Sequence, residues 1–105
     1  MEISLSYLSR DINFVPEVTA LQYKNALNLA VGTASGQVLL FDLRSPQPYH
    51  IKDHYYDSPI HSITFQKGEG LVLSADKKIL KIWHENDVSL ISSLVNTNIE
   101  FMNAI

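Results

Sequence analysis

Two groups of residues have types and spacings that could do chemistry. The first lies in the stretch LAVGTASGQVLLFDLRS (Leu29 to Ser45), where Gly32 and Gly36 flank a small polar cluster. A phosphate-cradling loop needs Gly-x-x-x-x-Gly-Lys-Ser/Thr, so that backbone N–H groups wrap the phosphate and a lysine meets its charge. Here the glycines are one position too close, Gln37 and Val38 stand where the lysine and hydroxyl belong, and no helical pattern follows. The stretch reads instead as a hairpin whose glycines turn the chain. The second group is His50 and His54 with Asp53, Asp57 and His61 nearby. Residues four apart on a strand share a face, and a zinc site needs three or four converging ligands. A metal-dependent hydrolase built on His50, His54 and Asp57 is therefore one alternative. No nucleophile-base-orienter set and no pair of carboxylates in an apolar context is legible. The expectation is a protein that is not an enzyme, with no cofactor and no metal.

Composition narrows the partners. The 105 residues are 46% hydrophobic and 18% charged, which is too apolar for disorder and fits one small domain or a fragment of a larger one. A net charge of -3 gives no electrostatic argument for nucleic acid, and the one basic cluster, Lys77, Lys78 and Lys81, reads as a solvated hairpin edge. With no cysteine there is no disulfide framework, which suits an intracellular protein. The first ten residues, MEISLSYLSR, lack the basic and apolar regions of a signal peptide. The uncharged run from Leu27 to Phe41 is too short and too polar to span a bilayer, so no membrane partner is expected.

The elements that must position these residues are strands. Short apolar runs alternate with turn residues, and nothing sustains a helical period. Shifting the sequence by 42 positions exposes a repeat. Val18, Leu21 and Tyr23 land on Ile60, Ile63 and Phe65; Leu29-Ala30-Val31 on Leu71-Val72-Leu73; and Val38-Leu39-Leu40-Phe41 on Leu80-Lys81-Ile82-Trp83. A second shift carries Ile60 and Ile63 onto Met102 and Ile105. Four strands in each such period are the pattern of a β-propeller blade. Strands are expected at 18–24, 29–34, 37–43 and 48–54, and again at 60–66, 71–75, 79–84 and 89–95. The predicted fold class is all-β: about two four-stranded antiparallel blades, an incomplete propeller. Residues 1–17 would be an outer strand (3–8) of a preceding blade and a linker, 18–55 and 56–98 the two blades, and 99–105 the start of a third. Two blades cannot close a ring, so a piece of a larger protein is expected, self-associating through open blade edges.

The repeat resembles the WD-repeat family. Gly36-Gln37-Val38-Leu39-Leu40-Phe41-Asp42 is similar to the family's Gly-Thr-Val-Arg-Leu-Trp-Asp arm with Phe for Trp, and Leu80-Lys81-Ile82-Trp83 is similar to the same arm. The resemblance implies that Phe41 and Trp83 are wedges between blades. It also implies a structural role for a histidine just before a blade, for which His54 is the candidate, and for Ser74 and Asp76 in a buried polar network. Trp83 is seven residues after Asp76 where the family has six. Either this hairpin is one residue longer or Asp76 stays outside the network. In the first repeat, Thr33 and Ser35 are read at the corresponding positions, and Ser35 supplies no carboxylate. Both blades are therefore expected to rely mainly on apolar packing. The loop holding Tyr55, Tyr56 and Asp57 is a possible partner-binding loop, since tyrosine offers a large rigid area with a polar tip.

The stretches TALQY, LNLAVGTASGQVLLFDLRS, IKDH, PIHSITFQ and LVLSADKKILKIW look like the propeller of the nucleolar protein 10 family. That resemblance implies a non-catalytic scaffold in the nucleolus, within the nucleus, acting in small ribosomal subunit assembly and rRNA processing. Its implied partners are other proteins of a large assembly and pre-ribosomal RNA. The alternative comes from Phe41-Asp42-Leu43-Arg44, similar to the box by which some WD proteins dock on cullin-4 ubiquitin ligases, with Asp42 and Arg44 as docking residues.

Overall fold

The computed structural model describes residues 16–55, 58–66, 68–86 and, as backbone, 90–95. Eight strands follow one another: β1 (Val18–Tyr23), β2 (Asn28–Thr33), β3 (Gln37–Asp42), β4 (His50–Asp53), β5 (Ser62–Gln66), β6 (Leu71–Ala75), β7 (Ile79–His84) and β8 (Leu90–Val95). They form two four-stranded antiparallel sheets, ordered β1-β2-β3-β4 and β5-β6-β7-β8. Among the described residues there is no helix. This is the all-β, two-blade architecture that the repeat predicts. The expected strands at 3–8 and 99–105 lie outside the described residues, as do Met102 and Ile105.

Side chains alternate across a strand, so each sheet has two faces to bury. Ala30, Val38 and Leu40 of the first sheet pack against Ile63, Val72 and Trp83 of the second, with Ile60 between them. This junction is the core that joins the blades. Leu29, Val31, Leu39 and Phe41 cluster on the other face of the first sheet. Leu73, Ala75 and Leu80 do so on the far face of the second.

Gly36 adopts a φ of 87° and turns the β2–β3 hairpin, where its N–H donates to the Thr33 carbonyl at 3.2 Å. Gly32 does something different from the turn expected of it. It lies inside β2, where a Cβ would sit 2.6 Å from Ile60 Cγ2 and 2.8 Å from Ile60 Cβ. The missing side chain lets the second blade's entry strand press against the first sheet. A bulge between Val18 and Ala20 interrupts the β1–β2 ladder, and the Thr19 hydroxyl donates to the Ile60 carbonyl at 2.5 Å. The Ile60 N–H in turn donates to the Thr33 carbonyl at 3.0 Å.

The registers refine the repeat. Phe41 faces Leu29 across its hairpin, whereas Trp83 faces Val72. Hence β3 and β7 correspond at 42 positions, but β2 and β6 correspond at 43. The β5–β6 connection has one residue more than its counterpart and the β6–β7 connection one fewer, so the two differences cancel over a blade. The partners of Ser74 and Asp76 in the first sheet are therefore Val31 and Thr33, in place of the expected Thr33 and Ser35.

Candidate functional site

The junction carries a buried chain of polar groups. His54 follows β4 and points into the second sheet, with no exposed surface. Its Nδ1 lies 3.1 Å from Asp76 Oδ2 and its Nε2 lies 2.7 Å from Ser74 Oγ. Trp83 Nε1–H donates to the same Ser74 oxygen at 3.0 Å. The other Asp76 oxygen accepts the backbone N–H groups of Lys78 at 2.7 Å and Ile79 at 2.9 Å. The turn closes around Lys77-Lys78 through the Asp76 N–H and the Ile79 carbonyl, 3.1 Å apart. Of the two alternatives posed by the Asp76–Trp83 spacing, the one that leaves Asp76 outside is not adopted: Asp76 is part of the network.

Donors and acceptors can be assigned from the carboxylate end. The Asp76 carboxylate only accepts, so His54 donates to it from Nδ1. With the buried imidazole neutral, Nε2 is an acceptor, and Ser74 gives its proton to Nε2 while accepting the Trp83 N–H. Burial pushes the His54 pKa below its ordinary 6.5, with the Asp76 carboxylate only opposing that shift. No buried side-chain polar atom among the described residues lacks a partner.

Ser74, His54 and Asp76 thus reproduce the contacts of a hydrolytic triad, an arrangement that the sequence did not reveal. The legible signal was Ser-x-Asp followed by Trp, with a histidine ahead of the blade. A nucleophile needs an approach path for a carbonyl and an unoccupied oxygen lone pair aimed at it. All three residues and Trp83 are wholly buried, and the indole N–H already occupies Ser74 Oγ. The arrangement is a clasp between blades.

The histidines do not gather. His50 Nε2–H donates to the Asn86 carbonyl at 2.5 Å, at the opposite end of the junction from His54. Lys24 pairs with the buried Glu85 at that same end. His61 is exposed, Asp57 and Tyr56 lie outside the described residues, and no group of three His, Asp or Glu side chains converges among the described residues. Phe41 is buried with Leu29, Val31 and Leu39, on the face of the first sheet that corresponds to the Trp83 face of the second. Asp42 and Arg44 close on each other, with Arg44 Nε and N–H on Asp42 Oδ1 at 2.8 and 2.9 Å and Nη2 on Oδ2 at 2.5 Å. The guanidinium holds the Asp42 carboxyl at about 2. Tyr55 is exposed, and its N–H donates to Asp53 Oδ1 at 2.7 Å.

Comparison with known proteins agrees with this geometry. The family model described as nucleolar protein 10-like, N-terminal domain, matches residues 3–105. Nucleolar protein 10 of Homo sapiens is 49% identical over 84 residues, 80% of this chain and 12% of that protein. The ribosome biogenesis protein enp2 homolog of Schizosaccharomyces pombe is 46% identical over 85 residues, 76% of this chain and 13% of that protein. The chain therefore spans about an eighth of the length of these relatives. Among solved structures, the β-propeller domain of Myceliophteria thermophila Cps50 (Swd1) superposes with a TM-score of 0.69 at 18% identity, over 75% of this chain and 24% of that one. That likeness establishes the fold: the two sheets are propeller blades.

Proposed function

This chain belongs to the nucleolar protein 10-like N-terminal domain family, and from that premise we infer that it serves a non-catalytic interaction scaffold in ribosome biogenesis. The observation that carries the reading is the 49% identity, over most of this chain, to a protein named for the nucleolus, together with the likeness to one named for ribosome biogenesis. The scaffold acts in the nucleolus, in assembly of the small ribosomal subunit and the rRNA processing that accompanies it. Its partners are proteins of that assembly, with pre-ribosomal RNA among the molecules it meets.

The chemistry of the junction supports this. The groups best suited to catalysis, His54, Ser74 and Asp76, are spent on holding one blade to the next. What faces solvent is recognition surface: Tyr55 on an inter-blade loop and the β1 edge with Val18, Leu21 and Tyr23. Such an apolar edge also favours self-association of the isolated blade pair, which remains an expectation here.

The test is affinity capture of the tagged full-length protein from growing cells, with its position followed by microscopy. Ribosome-assembly proteins are expected in the eluate and nucleolar signal in the cells. Recovery of a cullin-4 ligase adaptor without assembly proteins would overturn the reading in favour of a substrate receptor.

A further inference from the structure

Beside the clasp, at the end of the junction that β4 runs toward, an exposed aromatic ring stands near a cationic turn. The Asp76 carboxylate ties the two together. One of its oxygens lies 3.1 Å from Nδ1 of His54, the residue before Tyr55. The other accepts the Lys78 N–H at 2.7 Å, in the turn that carries Lys77 and Lys78. Both of these lysines are exposed, and neither is in an ion pair among the described residues. Lys81, on β7, is by contrast only 8% exposed, and its ammonium lies 5.3 Å from the centroid of the Tyr55 ring.

Tyr55 is 82% exposed and yet held in place. Its φ of 67° lies in the left-handed region that a bulky residue avoids. Asp53 secures that turn, with Oδ1 accepting the Tyr55 N–H at 2.7 Å and Oδ2 accepting from Gln37 Nε2 at 3.4 Å. The Lys81 ammonium steadies the ring from one side by a cation–π contact. A backbone kept in a costly conformation to display an aromatic side chain is the kind of outlier that marks a functional surface. The Asp76 carboxylate is buried and committed to the clasp, so the exposed charge of the neighbouring turn is that of Lys77 and Lys78.

We propose that Tyr55, Lys77 and Lys78 form a binding site for single-stranded RNA, in which an unpaired base stacks on the Tyr55 ring and the phosphates beside it meet the two lysines. This rests on the interaction-scaffold reading and gives its RNA contact a place and a chemistry. Every base has a π-face, so a stack on tyrosine tolerates any sequence, and lysine meets a phosphate as a point charge. The lysine cluster that reads as a solvated edge in the sequence lacks an aromatic neighbour there; the clasp brings Tyr55 to it from the other blade. A net charge of -3 supplies no long-range steering, so the affinity of this site comes from its local contacts. An acidic peptide would meet the lysines but offers the ring no flat π-surface, whereas a nucleotide uses both.

The experiment uses the purified full-length protein and a fluorescently labelled oligouridine that carries thiouridine. Anisotropy reads affinity as salt is raised, and near-ultraviolet crosslinking with mass spectrometry reads where the RNA lies. A crosslink to the peptide that holds Tyr55 is expected, and its loss in Tyr55→Ala. That variant should bind about tenfold more weakly with the same salt dependence, as for removal of one base stack. Its fold should be retained because the ring is exposed, with circular dichroism as the check. Tyr55→Phe keeps the stack and should bind as the unaltered protein does. Lys77→Met combined with Lys78→Met should make the slope of log K against log salt shallower by about 1.4, the share of two phosphates on a single strand. Absence of binding by the unaltered protein, crosslinks confined to other segments, affinity unmoved by Tyr55→Ala, or an unaltered salt slope in the lysine double variant would each overturn the proposal. So would tighter binding of a labelled peptide of alternating Glu and Gly with the same dependence on Tyr55. Affinity capture with the unaltered protein separates the two levels. If assembly proteins are recovered beside any of those results, only the RNA site is wrong. If none are recovered, the scaffold reading falls.

Discussion

The two blades share a strand order and nearly every apolar position, yet they close their equivalent faces by different means. In the second blade, that face presents Val72, Ser74, Lys81 and Trp83, and His54 and Asp76 complete a hydrogen-bonded line across it. In the first, the same positions hold Leu29, Val31, Leu39 and Phe41, which pack without a polar atom. Thr33, the counterpart of Asp76, keeps only the turn-closing part of the role, accepting the Gln37 N–H at 3.2 Å and donating to Gln37 Oε1 at 2.7 Å. Apolar packing suffices where the partner surface has only to be covered. The polar line adds direction, since a Trp–Ser–His–Asp chain is satisfied in one register and one tautomer alone. Reliance on apolar packing, expected of both blades, thus describes the first; the junction depends on both.

The comparison can be broken most forcefully at Trp83. Trp83→Ala is expected to destabilise the full-length protein by about 3–5 kcal/mol in urea unfolding, because it empties the junction core as well as removing the donor to Ser74. Trp83→Phe converts the position to the Phe41 solution and should recover much of that loss. His54→Ala leaves the Asp76 carboxylate buried without its side-chain partner, for an expected loss of about 3 kcal/mol. Because the folded-state pKa of His54 lies below its ordinary 6.5, the unfolded chain takes up the proton first as pH falls. The stability contributed by neutral His54 is therefore complete above pH 6.5 and is lost as pH drops below that toward and through the lowered value. Urea midpoints across that window should show the loss in the unaltered protein and a shallower one in His54→Ala.

Gly32 gives a smaller and sharper contrast. Its counterpart at the 43-residue offset, Ala75, carries a Cβ and is fully buried on the far face of the second sheet. Gly32→Ala drives a methyl into Ile60 and is expected to cost about 1–3 kcal/mol, the range for overpacking. Ile60→Ala in the same protein should make the pair less costly than the sum of the two changes. Smallest of all, Arg44→Ala should leave the melting temperature unchanged, since the Asp42–Arg44 pair is at the surface. Its expected mark is a rise of the Asp42 carboxyl from about 2 toward the ordinary carboxylate range, read by NMR titration.

Much of this architecture was legible because a blade repeats. The 42-residue offset marked six of the eight described strands and set Phe41 against Trp83, and the four-strand pattern of a blade supplied the other two. What it hid was a pair of opposite length changes in the two turns flanking β6, which cancel over one period. An apolar run such as Leu71-Val72-Leu73 matches Leu29-Ala30-Val31 equally well when slipped by one, so only hydrogen-bond register reveals that Val31 stands opposite the role of Ser74. Gly32 was misread for a related reason. A glycine that turns a chain and one that makes room for a neighbouring blade look alike in sequence, and the neighbour, Ile60, is far away along the chain.

The central claim is that His54 is a neutral hydrogen-bond bridge between the blades and not a titrating or catalytic base. Selective nitrogen labelling of histidine in the full-length protein, with two-bond nitrogen–proton correlations recorded as pH is lowered, reads this directly. The account predicts an Nδ1–H tautomer that persists below pH 6.5. An Nε2–H tautomer, or a His54 that takes up its proton above pH 6.5, would contradict it.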